Sequence, residues 1–135
     1  MSWDVSIMKF SQPYINVQAI PSDEKPLHIG SIAHIHSVVI KYFPNTDWSD
    51  PAWGIFDSPF GSIEFNLGSD DPATSMMLHV RAASEIVAPI VAMCIEECWS
   101  ALDSSTGEML EVAQDPTVGL ESWRQYRNRV ISSQT

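Results

Sequence analysis

Positive charge is scarce in this sequence. Between Tyr42 and Trp123 the only lysine or arginine is Arg81, set against fourteen aspartates and glutamates, and the whole chain has a formal net charge of -10. A phosphate backbone would be repelled by such a molecule, so the expected partners include no nucleic acid; a basic protein surface or a cationic ligand fits better. Cysteine is scarcer still, with two residues. Cys94 and Cys98 stand four residues apart in a segment that reads as helix, a spacing awkward for a disulfide, and both are expected to be small buried side chains. No apolar run approaches the roughly 18 residues that cross a bilayer, which excludes a helical membrane span. Met1-Ser2-Trp3-Asp4 opens on an acid where a secretory leader would carry basic residues. The expectation is a soluble, cytoplasmic protein with no membrane partner. Also missing are a Gly-x-Ser-x-Gly elbow, a phosphate loop, a dinucleotide fingerprint and a Cys-x-x-Cys pair. No motif therefore announces an enzyme or a cofactor, and none is expected.

What is present is enough apolar material for a real core. Hydrophobic residues make up 44% of the 135 positions and charged residues 18%, which fits a single domain over 1–135 and is too apolar for disorder. "SWDVSIMKF" alternates Trp3, Val5 and Ile7 with Asp4 and Ser6, the period of a strand. Residues 11–29 hold Pro13, Pro21 and Pro26 and should be mostly extended loop, with a short strand at Tyr14 to Val17. "GSIAHIHSVVIKYFP" is a helix: Ser31 caps it, Ile32, Ile35, Val39 and Tyr42 recur at helical spacing, and Pro44 ends it.

"WGIFDSPFGSIEFNLG" reads as two strands about a Ser58-Pro59-Phe60-Gly61 turn, and "SMMLHVRA" as a third. "SEIVAPIVAMCIEECWS" is a second helix, capped by Ser84, with Pro89 kinking it or moving its start. "WSALDSSTGEMLEV" resembles a hairpin turning at Ser104 to Gly107. "GLESWRQYRNRVISS" closes the pattern as a helix with Leu120, Trp123, Tyr126, Arg127 and Val130 on its inner stripe. Short turns between the middle strands make them antiparallel neighbours. The fold class is α+β: an antiparallel sheet of four to six strands, helices on one face, in the order β-α-β-β-β-α-β(β)-α.

Register follows from matching apolar faces. Pairing Leu67 with Met76 also pairs Phe65 with Leu78 and Ile63 with Val80, and on the opposite face it sets Glu64 across from His79 and Ser62 across from Arg81. Glu64, Asn66, His79 and Arg81 would then form a polar site on the open sheet face, with an acid beside an imidazole as in acid–base chemistry; the plainer reading is a solvated cross-strand pair. His28, His34 and His36 form no metal site on a helix, where positions 34 and 36 point about 200° apart. Asp70 and Asp71 lack the ligand ladder of a calcium loop and read as a turn. The stretch "DWSDPAW" should be a surface loop that alternates rings with carboxylates, and Trp48 would be an apolar anchor of the kind found at interaction hot spots. Trp53 is expected to fold back over the sheet edge.

Taken in order, "SWDVSIMKF", "DWSDPAWGIFDSPFGSIEFNLGSDDP", "SMMLHVRA" and "WSALDSSTGEML" give the chain a layout that resembles a group of small acidic bacterial proteins with no assigned activity. Such proteins are similar to the immunity proteins of bacterial toxin systems. The resemblance implies a non-enzymatic binding protein that blocks a cognate protein toxin, or another basic protein, and it carries no residue roles. From the residues, the expected face is Asp47, Trp48, Asp50, Asp70 and Asp71. The competing expectations are a small enzyme or ligand-binding domain around Glu64 and His79, and a homodimer that buries the open sheet face.

Overall fold

The alternation seen in the sequence becomes a six-stranded, fully antiparallel sheet in the computed structural model, which describes residues 1–133. The strands are β1 (Trp3–Met8), β2 (Asp47–Asp50), β3 (Trp53–Ser58), β4 (Gly61–Asn66), β5 (Met76–Ala82) and β6 (Ser100–Asp103), arranged in space as β2-β3-β4-β5-β1-β6. The helices are α1 (Ile32–Tyr42), α2 (Val87–Glu97) and α3 (Val118–Ser133). The expected α+β class holds, with one strand more in the middle than the sequence suggested. Trp3, Val5, Ile7, Ile63, Phe65, Leu78 and Val80 turn to one side of the sheet. There they join Ile35 and Val39 of α1 and Val87, Ile90 and Met93 of α2 in one core.

The β4–β5 register is the expected one: Ile63 pairs with Val80, Glu64 with His79 and Phe65 with Leu78. At the β3–β4 turn Gly61 has φ +126°, and a Cβ there would lie 2.3 Å from the Arg81 carbonyl oxygen. Only glycine fits so close an approach of two backbones. β1 takes a place inside the sheet, between β5 and β6, where Trp3 donates its indole N–H to the buried carboxylate of Asp103 at 3.0 Å.

Several expectations are corrected. "DWSD" is not a loop but the edge strand β2, which turns through Pro51-Ala52 into β3. In place of a strand at Tyr14 to Val17 there is one bridge, Asn16 to Glu108, and a 3₁₀ turn at Val17–Ala19. The hairpin after β6 shrinks to a single bridge between Leu102 and Met109, because a 3₁₀ turn at Leu110–Val112 takes over the returning arm. Ser84 does not cap α2: residues Ser84–Ile86 form a 3₁₀ turn and the helix begins at Val87. Pro89 then falls in its first turn, where the missing N–H has no intrahelical partner to lose. Cys94 is buried as expected, but Cys98 is exposed, because it ends α2 in the left-handed conformation with φ 57° and leaves the helix face. Both thiols are free. On α3, Tyr126 points outward, 53% exposed, and only Leu120 of its stripe is fully buried. No helix among the described residues is long and apolar enough to cross a membrane.

Candidate functional site

The helices and core cover one side of the sheet. The other side is open, and the strand registers fix what stands on it. One row across the strands reads Asp47, Ile55, Glu64, His79, Asp4; a second reads Asp50, Trp53, Asn66, Met77, Ser6, Leu102; a third reads Asp57, Ser62, Arg81. Five carboxylates thus share one uncovered surface: Asp4, Asp47, Asp50, Asp57 and Glu64. A register shift between Asp47 and Asp50 is what puts both of these on the open side although they are three residues apart, since a bulge breaks the strict alternation of a strand.

Within this face the side-chain partners differ from the expected ones. Glu64 and His79 do oppose each other along the backbone, but β5 has a neighbour on each side. His79 Nδ1 lies 2.9 Å from Asp4 Oδ1 on β1, and Glu64 pairs instead with Arg81, Nη1 to Oε2 at 3.5 Å. The Trp53 indole stacks on the His79 ring, centroids 5.9 Å apart and planes inclined by 24°. Arg81 Nε also donates to the Met1 carbonyl oxygen at 2.9 Å. Glu64, Asn66, His79 and Arg81 therefore share this surface, beside Asp4 and Trp53, which sequence reasoning did not include. Two cavities that form elsewhere on the molecule include none of these four residues.

The two tryptophans exchange their expected places. Trp48 turns inward from β2, stacks on His36 of α1 at 4.0 Å, and reaches Phe65. Its indole N–H is buried without a hydrogen-bond partner among the described residues. A ring packed in this way is part of the core margin and not a free anchor. Trp53 is the one on the open face, next to Ile55, which is 43% exposed. The inversion comes from the bulge: with Asp47 and Asp50 both turned out, Trp48 between them turns in.

The expected acidic group also divides. Asp47 and Asp50 stand on the open face; Asp70 and Asp71 lie in the connection from β4 to β5. That connection starts beside the β2–β3 turn, since the Leu67 and Gly68 amides both donate to the Ala52 carbonyl oxygen. Asp71 accepts from the Ile32 amide at 3.2 Å while Ser31 accepts from that of His34. Its charge thus serves the start of α1, where exposed N–H groups favour an anion. Asp47 is held below the usual carboxylate range by the Ser49 hydroxyl and then the Ser49 amide, so it stays ionised.

The histidines of α1 separate as helical phase requires. His34 pairs with Glu97 of α2, His36 contacts the Pro51 carbonyl oxygen at 2.9 Å, and His28 is exposed in the preceding loop. Among the described residues no group of three or more His, Cys, Asp or Glu side chains is placed to hold a metal ion. Compared with known proteins, the chain matches no family model, no curated protein and no solved structure.

Proposed function

We propose that this chain is a non-enzymatic, intracellular binding protein whose open sheet face takes a basic protein partner. The observation that supports this reading is the strand registry, which gathers five carboxylates around Trp53 and Ile55 on the one side of the sheet that no helix covers. Against them stand one arginine and one histidine. Such a face combines a long-range field that steers a cationic partner with an aromatic–aliphatic centre that can be desolvated on contact. A toxin domain that cleaves nucleic acid must present a positive cleft, and that is the partner class that the likeness to immunity proteins suggests.

The test uses paired charge reversals in the tagged protein. Asp47→Lys, Asp50→Lys and Asp57→Lys together remove the field of the open face; Asp23→Lys with Asp115→Lys changes charge in loops outside the sheet. A stoichiometric basic partner should be retained from native lysate at low salt by the wild type and the loop variant, released at high salt, and lost by the face variant. Equal retention by all three would sink the proposed face. Recovery of the chain alone, with a dimer mass in sedimentation, would replace the partner with a second copy.

One observation favours a second reading. Asp4 beside His79 is the pairing by which a carboxylate orients an imidazole for proton transfer. In that case the face is a small reaction or ligand site. His79→Gln would then abolish turnover or ligand binding while leaving capture of a basic protein intact.

A further inference from the structure

Away from the sheet face, β1 runs on into a loop that returns toward the end of α2, and the space between them is not filled. A cavity of about 490 Å³ opens there, walled by Phe10, Pro13, Leu27, Ile95 and Trp99. That volume is within the ~300–1,000 Å³ of small-molecule sites. The lining is largely apolar, with Ser11, Gln12 and Ser100 as neutral polar members and two charged residues. The charged residues are Glu111, from the 3₁₀ turn after β6, and Lys9, just past the end of β1. Cys94 and Cys98 also line the cavity, the first buried and the second exposed.

Glu111 is fixed by its environment. Its Oε1 accepts from the Ala101 amide of β6 at 2.7 Å, which anchors the group through one oxygen. Burial pushes its carboxyl above the usual range, only partly offset by the hydrogen bond from Ala101. The same burial, with the charge of Glu111 second, pushes the Cys94 thiol far up and leaves it inert. A carboxylate in such a place is stabilised by a cation that enters the cavity with it. Lys9 does not supply that cation: it makes no ion pair among the described residues. A net charge of -10 concentrates small cations around the molecule, and the Phe10 and Trp99 rings suit a positively charged guest with an apolar body.

We infer that this cavity is a binding site for a small hydrophobic amine, its ammonium group on Glu111 and its apolar body among Phe10, Pro13, Leu27, Ile95 and Trp99. The site is independent of the open sheet face and stands or falls separately from it.

The experiment is a matched series of phenylbutylamine, phenylbutanol and phenylbutanoate, titrated into the full chain by calorimetry, with Glu111→Gln as the variant. Gln keeps an oxygen acceptor for the Ala101 amide, and thermal unfolding of the variant checks that the fold is retained. The amine should bind best, and its affinity should fall about tenfold or more in Glu111→Gln, the scale of a lost charged hydrogen bond. A second readout is the exposed Cys98 thiol, whose alkylation by iodoacetamide the bound amine should slow. Equal binding of all three head groups would mean a merely apolar cavity and overturn the assignment. Tighter binding of phenylbutanoate would transfer the site to Lys9 and overturn it too. So would no binding at all, an unchanged affinity in Glu111→Gln, or binding that leaves Cys98 alkylation unaltered.

Discussion

The two sides of the sheet are made by the same strands from alternate residues, and they follow different rules. On the covered side Val5, Ile7, Ile63, Phe65, Leu78 and Val80 are wholly buried, and position there is dictated by packing and by removal of apolar surface from water. On the open side, carboxylates, a histidine, an arginine and Trp53 share the face with Ile55, Met77 and Leu102. Nothing in the stability of the sheet requires that mixture, and an excess of like charge on one surface works against it. The covered side accounts for the fold; the composition of the open side needs a reason from outside the fold, and the proposed binding role is such a reason.

Substitutions can sharpen that division. Phe65→Ala removes a wholly buried ring that touches Phe43 and Trp48, and urea denaturation should show a loss of about 3–5 kcal/mol. Next is Gly61→Ala, where a Cβ would meet the Arg81 carbonyl oxygen. It should lower stability by about 1–3 kcal/mol by the same assay, the scale of local backbone strain. Smallest is Ile55→Ala on the open side, expected within about 0.5–1 kcal/mol of wild type. A loss at Ile55 as large as that at Phe65 would mean that the open face is buried in solution by a second copy.

A pH series makes the same kind of contrast with a half-buried acid. The Glu111 carboxyl is raised above its ordinary value by burial. The folded chain therefore binds its proton more tightly than the unfolded chain does, and stability falls as pH rises from the unfolded value through the folded one. Relative to Glu111→Gln, the wild type should lose stability across that window. Asp47, lowered by Ser49, acts in the opposite sense at lower pH, so the comparison must be between the two proteins at each pH.

The apolar side of the sheet was legible in the sequence because alternation and burial there are the same fact. Matching Leu67, Phe65 and Ile63 against Met76, Leu78 and Val80 was enough for the β4–β5 register. The Asp4–His79 pair was not legible, since it depends on β1 lying next to β5, 75 positions away, and strand order is decided by the whole core. Trp48 and Trp53 were misplaced for a local reason: one irregular step in a four-residue strand reverses which side chains face out. Cys98 was misplaced because a left-handed helix end without glycine leaves little mark in composition. The cavity beside Glu111 arises where a proline-containing loop, a helix end and a 3₁₀ turn meet, and no period links those segments.

The interior place of β1 also sets an order of assembly. The residues that β1 pairs with, 76–80 in β5 and 100–103 in β6, are synthesised long after it, and the Trp3–Asp103 hydrogen bond joins positions one hundred apart. Strands β2 to β5 can associate as they are made, through neighbours in sequence, whereas β1 must wait with Trp3, Val5 and Ile7 unburied until most of the chain exists. Closure of such a distant pairing is entropically slow, and an unpaired apolar strand is an opportunity for misassociation. β1 can pair with β5 only once residue 82 exists, and β6, whose only strand partner among the described residues is β1, can join the sheet only on the outer edge that β1 then offers.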